Sequence, residues 1–412
     1  MYHFVYADIN GNAYEHKSFY ALGRLGNSFV EPAKEELIPL PDGASLTLIP
    51  ERTPVVMDET GNFRKYTGAG FAVGALLPQG FTRTLLPAFI NEGQAKPLPL
   101  FGYAAVAFKN GRFFVAAKAT DLDDKWNPRH FNTVSLRKRV EELNKIFPEN
   151  RIIKQLGYCA LEYSCFTAQN IFYRRWEGGI PVSPVCNARC LGCISLQPGE
   201  CCPSPQTRIN FVPEIREITE LGIFHLTDNE EAIVSFGQGC EGEPSIQADV
   251  VAEAIRKIRS ETEQGTINMN TNGGYSAGIK KICTAAIDSL RISLNSAVGE
   301  MYDAYYQPRN YRLGNVIDSL KFAAEKNIYT YLNLLFFPGI NDCEDEVAAL
   351  IDLVKETGVK GIQLRNLNID PDLLLRRLPR PQGDPLGVPA FLEVLKNELP
   401  QVEIGNYTKP RG

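Results

Sequence analysis

The stretch Val185-Cys-Asn-Ala-Arg-Cys-Leu-Gly-Cys193 places three cysteines within eight residues, directly after the apolar run at residues 180–185. Cys186, Cys190 and Cys193 are close enough in sequence for one loop to bring three thiolates to a common metal centre. A closed zinc or iron–sulfur site takes four protein ligands, so this motif is one ligand short. An open position on a thiolate-bound metal can accept a substrate or cosubstrate. The motif therefore indicates a catalytic metal centre rather than a purely structural one.

The chain after residue 179 alternates predicted strands with predicted helices, which is typical of βα units and a parallel sheet. The predicted strands cover residues 181–185, 232–236, 266–271, 289–295, 329–335 and 361–367. The predicted helices cover residues 212–221, 246–260, 277–286, 316–326, 344–357 and 389–399. Six such units predict an α/β fold with a partial (β/α)6 barrel, because a complete barrel needs eight.

The N-terminal third of the chain has a different pattern. Short apolar runs at residues 44–49, 70–77 and 102–108 are bounded by Gly and Pro, which predicts strands. Asn110-Gly111 lies between two apolar runs and predicts a β-hairpin. Helical spacing follows at residues 134–146, and a second helix is predicted from residue 151 to about residue 166. The predicted order is a β-rich accessory domain at residues 1–130, a helical linker at 131–178, the partial barrel at 179–370, and a C-terminal helix and tail at 371–412.

Composition limits the class of protein and its surroundings. The chain has 412 residues, 44% hydrophobic and 22% charged, which is the balance of a globular protein with more than one domain. A net charge of −5 argues against nucleic acid or an anionic membrane as a partner. The N-terminus lacks a signal-peptide pattern and no apolar run reaches 18 residues, so a cytoplasmic location is expected. Eight of the ten cysteines lie between residues 159 and 240, which favours metal ligation over disulfides.

Polar residues recur along the predicted strands of the barrel. Strand periodicity places three sets on common faces: Asn268 with Asn270 and Asn272, Arg291 with Ser293 and Asn295, and Gln363 with Arg365, while the fifth strand contains Asn333. Parallel strands covered on both faces are normally almost continuously apolar. Any single Asn or Ser is more often satisfied by a protein neighbour. The same pattern in four strands, however, favours a pocket that holds a polar ligand at the carboxyl ends of the strands.

Over about residues 180–370 the chain resembles the radical S-adenosylmethionine (SAM) superfamily. The resemblance implies that Cys186, Cys190 and Cys193 hold a 4Fe–4S cluster whose fourth iron is chelated by SAM. Glu241-Gly-Glu-Pro244 resembles the family's Gly-Gly-Glu-like motif. Glu243 then stands in the place of the acidic residue that binds the SAM amino group, and Glu241 replaces the first glycine. Gly192 stands where the family commonly has an aromatic residue near the adenine.

The resemblance and the polar strands together predict the SAM-binding residues. Thr271 and Asn272 match the family's Thr-Asn-Gly, and Ser293, with Arg291 or Asn295, matches its polar fourth strand. The predicted set is Gly242, Glu243, Asn270, Thr271, Asn272, Ser293, Asn295, Asn333 and Gln363. The resemblance further implies that a low-potential donor such as flavodoxin or ferredoxin reduces the cluster. SAM is then cleaved to methionine and a 5′-deoxyadenosyl radical, which takes a hydrogen atom from the substrate.

Three side chains are candidates for chemistry on the substrate. Cys240, inside the predicted SAM-binding loop, is a hydrogen-atom donor, a substrate ligand or a small apolar filler. Tyr305 lies in a stretch, residues 302–309, that predicts either a substrate-facing loop or a packed aromatic cover. Arg365 is a candidate for acid–base work, together with Tyr306, Asp370 and Asp372, because histidine is almost missing from the barrel.

Several alternatives stay open from the sequence. An auxiliary cluster would draw on Cys159, Cys165, Cys201 and Cys202, although adjacent cysteines rarely ligate one cluster together. A non-catalytic iron–sulfur or zinc protein would use Cys201 or Cys240 as the fourth ligand. The favoured substrate is a small molecule or a cofactor-pathway intermediate, and modification of a protein or RNA is the second choice, since no basic surface with interleaved aromatic residues is visible.

Overall fold

The computed structural model describes residues 1–93, 95–98, 100–121, 123–196, 204–229 and 231–411. The chain divides into two compact units. The first comprises residues 1–127, 335–351 and 364–400, and the second comprises residues 128–334, 352–363 and 401–412. Within the described ranges, no helix is both long enough and apolar enough to cross a membrane.

Antiparallel strands form about half of residues 1–127. The strands are β1 (His3–Ala7), β2 (Ala13–Tyr20), β3 (Gly23–Leu25), β4 (Ser28–Val30), β5 (Leu37–Pro39), β6 (Ser45–Ile49), β7 (Thr53–Met57), β8 (Phe63–Lys65), β9 (Phe71–Leu76), β10 (Phe81–Arg83), β11 (Leu86–Pro87), β12 (Phe89–Ile90), β13 (Tyr103–Lys109) and β14 (Arg112–Ala119). The larger sheet has the order β10-β14-β13-β9-β1-β2-β7-β12, with β5 on β14, β6 on β9 and β8 on β7. A smaller sheet has the order β11-β3-β4. The predicted β-rich N-terminal region is therefore confirmed.

The hairpin predicted from Asn110-Gly111 joins β13 to β14. Lys109 pairs with Arg112, which leaves a two-residue loop. The φ angles of Asn110 and Gly111 are 52° and 78°, as a type I′ turn requires. The turn chemistry thus sets the register of the pair, which places Val106 opposite Val115 in the core of the sheet.

A parallel sheet follows. Its strands are β15 (Glu177–Gly179), β16 (Ile233–Phe236), β17 (Thr266–Thr271), β18 (Ser289–Leu294), β19 (Tyr329–Phe336), β20 (Gly361–Asn366) and β21 (Glu403–Gly405), in that order across the sheet. Five of the six predicted strands correspond to β16 through β20. The sheet and its crossover helices form a partial barrel, so the predicted fold class is confirmed, and β21 extends the sheet at one edge.

Helices connect and cover these strands. They are α1 (Leu136–Ile146), α2 (Arg151–Glu162), α3 (Phe166–Tyr173), α4 (Ile215–Leu226), α5 (Ala248–Glu261), α6 (Ser276–Cys283), α7 (Gly299–Tyr306), α8 (Leu313–Glu325), α9 (Glu344–Thr357), α10 (Pro371–Arg377) and α11 (Val388–Glu398). Short 3-10 turns occur at Lys34–Glu36, Pro128–His130 and Pro244–Gln247.

Long-range polar contacts explain why residues 364–400 belong to the first unit. The buried carboxylate of Asp370 caps α10 and also pairs with Arg52 at 3.0 Å. Arg83 is fully buried, and its guanidinium donates to the carbonyl oxygen of Leu367 at 2.8 Å. Its backbone N–H donates to Asn366 Oδ1 at 2.9 Å. Buried polar groups of this kind are strongly destabilising unless they are paired, so these contacts tie the segment to the N-terminal strands.

The prediction of a first barrel strand at residues 181–185 is wrong. The first strand is β15, and residues 181–185 are not part of the sheet ladder. Pro181 and Pro184 have no N–H to donate to a ladder. The N–H groups of Val182 and Ser183 donate instead to the Glu241 side chain. The segment before the cysteines therefore binds the loop after β16 rather than a neighbouring strand.

Residues 302–309, for which the sequence left open a substrate-facing loop or a packed aromatic cover, are mostly helical. Residues up to Tyr306 form α7, which ends at Gln307 with a φ of 45°. Tyr302, Tyr305 and Tyr306 are buried on one face at i, i+3 and i+4 spacing. That spacing is a helical signal, and it was obscured by the low helix propensity of tyrosine.

Candidate functional site

The cysteine loop is held by the end of α7. The N–H groups of Arg189 and Leu191 donate to the carbonyl oxygens of Tyr306 and Tyr305, at 2.9 and 3.0 Å. The last carbonyls of a helix have no partner within the helix, so the loop satisfies groups that would otherwise need water. Cys186, Cys190 and Cys193 are partly exposed free thiols, and they are therefore accessible from outside the core.

The three thiols influence one another electrostatically. Burial, and next the Glu243 carboxylate, raise the pKa of Cys186 to about 11. The pKa of Cys190 is well above its usual value, because of burial and then because of charge at Cys186 and Cys193. Bound iron would supply the positive charge that reverses these shifts and keeps the thiolates ionised. In donor chemistry, therefore, the three cysteines suit a thiolate-bound cluster.

In the described ranges, no three His, Cys, Asp or Glu side chains converge closely enough to hold a single metal ion. A 4Fe–4S cluster does not require such convergence, because each cysteine ligates a different iron at a corner of the cluster.

Two glycines let the loop after β16 approach its neighbours closely. Gly237 has a φ of 79°, and a Cβ atom there would lie 1.8 Å from the carbonyl oxygen of Asn270. A Cβ atom at Gly242 would lie 2.0 Å from the carbonyl oxygen of Val185. Neither position accepts a side chain without a backbone shift. The glycines therefore bring this loop against both β17 and the segment that leads into the cysteines.

Glu241 organises the same loop. Its buried carboxylate accepts four backbone N–H groups, from Val182 at 2.7 Å, Ser183 at 2.9 Å, Gly237 at 2.6 Å and Gln238 at 2.8 Å. Burial raises the pKa of Glu241 to about 7, and these hydrogen bonds act in the opposite direction. The four amide donors occupy the acceptor positions of the carboxylate. Glu241 therefore holds the loop after β16 against residues 182–183.

Glu243 joins the loop to the end of β17. It accepts hydrogen bonds from the Asn272 N–H at 2.8 Å, the Ser245 N–H at 3.0 Å and the Thr271 hydroxyl. Burial raises its pKa, and these donors oppose the rise. The Asn272 side chain donates to Asn187 Oδ1, within the cysteine loop, at 2.6 Å. The structure thus brings together the cysteines, Glu243, Thr271 and Asn272, all of which are sequence-predicted site residues.

Asn270 and Gln363 belong to a hydrogen-bond network around Arg291. The Arg291 guanidinium pairs with Glu177 at 3.0 Å and donates to Gln363 Oε1 at 3.1 Å, to Thr408 Oγ1 at 2.7 Å and to Asn270 Oδ1. The amide group of Asn270 donates to the Gly237 carbonyl oxygen at 3.1 Å. The polar groups of Asn270 and Gln363 therefore have protein partners.

The other predicted strand residues are distributed over two strands and one loop. Ser293 and Asn333 are paired in register on β18 and β19, and both are partly exposed. Asn295 is buried, and its amide group donates to the Met301 carbonyl oxygen at 3.2 Å. Ser293 and Asn333 thus present a polar pair, whereas Asn295 binds the backbone of α7.

The three candidate catalytic residues belong to different elements of the chain. Tyr305 is buried on α7, where charges at Cys190 and Cys193 add to burial in raising its pKa. Cys240 is buried, and a hydrogen bond to the Cys159 thiol, followed by burial, raises its pKa well above the usual value. Arg365 belongs to the first unit and donates to Gln79 Oε1 at 2.9 Å. Tyr305 lies beside the cysteine loop, because its carbonyl oxygen accepts the Leu191 N–H at 3.0 Å.

Among the other cysteines, Cys159 is buried and Cys165 is partly exposed. The N–H of Cys165 donates to the Cys159 carbonyl oxygen at 3.1 Å. Cys201 and Cys202, which the sequence offered for an auxiliary cluster or a fourth ligand, lie outside the described residues.

The structure adds residues that the sequence did not single out. Tyr302 stacks on Tyr306 with ring centroids 4.6 Å apart, and its hydroxyl donates to that of Tyr311 at 3.4 Å. Arg208 Nη2 lies 3.5 Å from the Cys193 sulfur. The helical spacing of the tyrosines on α7 was a usable signal. For Arg208 there was none, because it is 15 residues from Cys193 in sequence.

These features define a class of protein: a parallel partial barrel with a three-cysteine loop and a Gly-rich loop that meet at the carboxyl ends of its first strands. A sequence model of the radical SAM superfamily matches residues 180–351. Residues 180–351 accordingly form a radical SAM domain, which marks the chain as an enzyme, and enzymes with this domain use a 4Fe–4S cluster and SAM.

Comparison with solved structures finds several similar chains. The maturase HydG from Carboxydothermus hydrogenoformans has 14% sequence identity and a TM-score of 0.37, over 66% of this chain and 66% of that one. SuiB from Streptococcus suis has 12% identity and a TM-score of 0.38, over 67% and 60%. A radical SAM methyltransferase from Sphaerobacter thermophilus has 16% identity and a TM-score of 0.39, over 56% and 65%. Each match spans at most about two thirds of the solved chain. No curated protein sequence matched.

Proposed function

We propose that Cys186, Cys190 and Cys193 ligate the cluster of this enzyme and that Glu243 binds the SAM amino group. The single observation behind this proposal is that Glu243, held by Thr271 and Asn272, also donates its backbone N–H to the carbonyl oxygen of Val185, directly before Cys186, at 2.8 Å. When bound, the reduced cluster supplies an electron that cleaves SAM and yields a 5′-deoxyadenosyl radical for hydrogen abstraction.

The protein residues supply orientation. Glu243 is preorganised because three donors fix its carboxylate, so binding an ammonium group costs little reorganisation. The Asn187–Asn272 hydrogen bond keeps the cysteine loop in register with the end of β17. The tyrosines of α7 are buried behind the loop and exclude water from that side. Ser293 and Asn333 are the proposed polar contacts on the neighbouring strands.

For the substrate we propose a small molecule or a cofactor-pathway intermediate. The net charge of −5 supports this choice, because nothing in the overall charge would concentrate a polyanion such as RNA near the site. A low-potential donor such as flavodoxin or ferredoxin is the proposed reductant, and the cytoplasm, where thiols stay reduced, is the proposed location.

Cys240, Tyr305 and Arg365 remain the proposed catalytic residues. The proposed domains remain a β-rich accessory domain at residues 1–130, a helical linker at 131–178, the partial barrel at 179–370, and a C-terminal helix and tail at 371–412.

The deciding experiment is anaerobic reconstitution with iron and sulfide, followed by incubation with SAM and dithionite. The wild-type protein should release 5′-deoxyadenosine and methionine. Cys190→Ala should abolish this release, whereas Cys283→Ala, at a buried thiol on α6, should retain it. If SAM stays intact in wild-type protein that carries a correctly formed cluster, the proposal is wrong. Zinc without iron in the purified protein would favour the non-catalytic alternative.

Substrate identity calls for a separate measurement. Candidate small molecules labelled with deuterium are added to the same reaction, and transfer of the label into 5′-deoxyadenosine is followed by mass spectrometry. Transfer from a labelled protein or RNA, but from no small molecule, would overturn the proposed substrate class.

A further inference from the structure

Arg208 approaches the cysteine loop from a separate segment. Its Nη2 donates to the sulfur of Cys193 at 3.5 Å, and its Nε donates to Ser195 Oγ at 3.0 Å. Both contacts are on one side of the guanidinium fork, so the group is oriented rather than free to rotate. A positive charge is therefore held against one of the proposed cluster ligands.

Two hydrogen bonds hold the segment that carries Arg208, and a third holds its hydrogen-bond partner Ser195. The Gln206 N–H donates to the Ile194 carbonyl oxygen at 3.2 Å, and the Ile209 N–H donates to the Cys240 carbonyl oxygen at 2.9 Å. The buried hydroxyl of Ser195 donates to the Glu241 carbonyl oxygen at 3.1 Å. The segment that carries Arg208 is thus anchored to both the cysteine loop and the Gly-rich loop.

The charge of Arg208 opposes that of Glu243. Both groups lie against the cysteine loop: the Arg208 guanidinium donates to the Cys193 sulfur at 3.5 Å, and the backbone N–H of Glu243 donates to the Val185 carbonyl oxygen, directly before Cys186, at 2.8 Å. The same balance acts on a cluster, because reduction adds one negative charge, which a nearby cation stabilises. Hydrogen bonds to ligand sulfur have the same sign, since they stabilise the more electron-rich reduced state.

We propose that Arg208 is a positioning residue that raises the reduction potential of the cluster through its charge and its N–H···S hydrogen bond to Cys193. This inference rests on the proposed function, in that it requires Cys193 to be a cluster ligand. Arg208 thereby makes the cluster easier to reduce by a physiological donor.

The test is a redox titration of reconstituted protein, monitored by electron paramagnetic resonance. Arg208→Met keeps an apolar stem and removes the charge and the hydrogen bond. It should make reduction at least tenfold less favourable, a shift of about 59 mV to more negative potential for a one-electron couple. Arg208→Lys should recover part of that shift, because it restores the charge without the guanidinium geometry. The matched control is Arg216→Met, on the exposed face of α4, where the potential should not change.

Iron and sulfide content and SAM affinity are measured on the same samples. With full iron content and SAM affinity within about threefold of wild type, a negative shift in Arg208→Met supports the inference. An unchanged reduction potential in Arg208→Met overturns the inference. A loss of SAM affinity with no change in reduction potential also overturns it, because Arg208 would then be a SAM ligand. If Arg208→Met fails to take up iron, the reduction potential is measured in Arg208→Lys and Ser195→Ala instead. Potentials equal to wild type in both of these variants overturn the inference. Failure of the proposed function is distinguishable, because wild-type protein would then form no cluster or would leave SAM intact.

Discussion

The carboxylate of Glu243 accepts a hydrogen bond from the backbone N–H of Asn272 at 2.8 Å. This contact joins a residue that follows β16 to a residue at the end of β17. Asn272 in turn donates through its side chain to Asn187 at 2.6 Å. The two contacts form a continuous path from the proposed SAM-binding carboxylate to the cysteine loop, so a disturbance at either end should affect the other.

Replacement of Glu243 by Gln should weaken SAM binding about tenfold or more. A hydrogen bond to a charged group contributes roughly 1.5–3 kcal/mol, and the amide also loses the attraction to an ammonium group. The measurement is equilibrium SAM binding to reconstituted protein, with iron content determined in parallel. The control is Glu253→Gln, at an exposed position on α5. SAM affinity equal to wild type in Glu243→Gln would rule out the role proposed for this residue.

Replacement of Gly242 by Ala should displace the cysteine loop. The new Cβ atom would lie 2.0 Å from the Val185 carbonyl oxygen, directly before Cys186, and that oxygen is backbone and cannot rotate away. Overpacking of this kind costs about 1–3 kcal/mol. We expect a lower melting temperature and loss of most of the incorporated iron. Gly299→Ala is the control, because its Cβ would meet open space at the start of α7. Wild-type iron content in Gly242→Ala would contradict the structure of this contact.

Replacement of Arg291 by Met should destabilise the barrel by about 3–5 kcal/mol, because it leaves the buried carboxylate of Glu177 without its ion-pair partner. The free energy of unfolding is measured by urea denaturation. The double variant Glu177→Gln with Arg291→Met removes both charges and should recover part of the loss. If the two single effects simply added in the double variant, the pair would not be coupled as the 3.0 Å contact indicates.

His225 should make the protein less stable at acidic pH. Burial lowers its pKa to about 4, from an unfolded value of about 6.5, and its Nε2 hydrogen-bonds the Trp176 carbonyl oxygen at 2.8 Å. Because the native state binds the proton less readily than the unfolded state, the stabilisation is present above pH 6.5 and is lost as the pH falls towards 4. For this group the loss between pH 7.5 and 4.5 is about 2–3 kcal/mol.

The corresponding measurement compares wild type and His225→Gln by urea denaturation at both pH values. The variant should lose less stability than wild type on acidification, since glutamine does not titrate in this range. Equal losses in the two proteins would show that His225 is not the group responsible.

Much of the site could be predicted because its signals are local. Cys186, Cys190 and Cys193 lie within one loop, and Thr271 and Asn272 end one strand. The alternation of strands and helices was also readable, because each element carries its own hydrophobic period. The Asn110-Gly111 turn was specific for the same reason, since positive φ angles at two adjacent residues are a local requirement.

Other features depended on contacts between residues far apart in sequence. The sequence predicted a first strand at residues 181–185. In the structure, N–H groups of that segment donate to Glu241 in the loop after β16, and β15 is the first strand of the sheet. The strand period predicts Asn270 and Gln363 as ligand-binding residues, and only the structure shows that both also have partners in the Arg291 network; their role in binding stays a prediction. A single sequence does not reveal which buried polar groups satisfy one another.

The sequence by itself determined the cysteine motif, the parallel βα architecture and the family, because spacing, period and turn chemistry act over a few residues. Only the tertiary structure decided that Glu241 holds the loop after β16 in place, that Glu243 faces the end of β17 and that Arg208 contacts Cys193. Those assignments rest on hydrogen bonds between residues that lie 15 to 59 positions apart in the sequence. Such contacts can form only after the parallel strands have paired and brought the loops at their carboxyl ends next to one another.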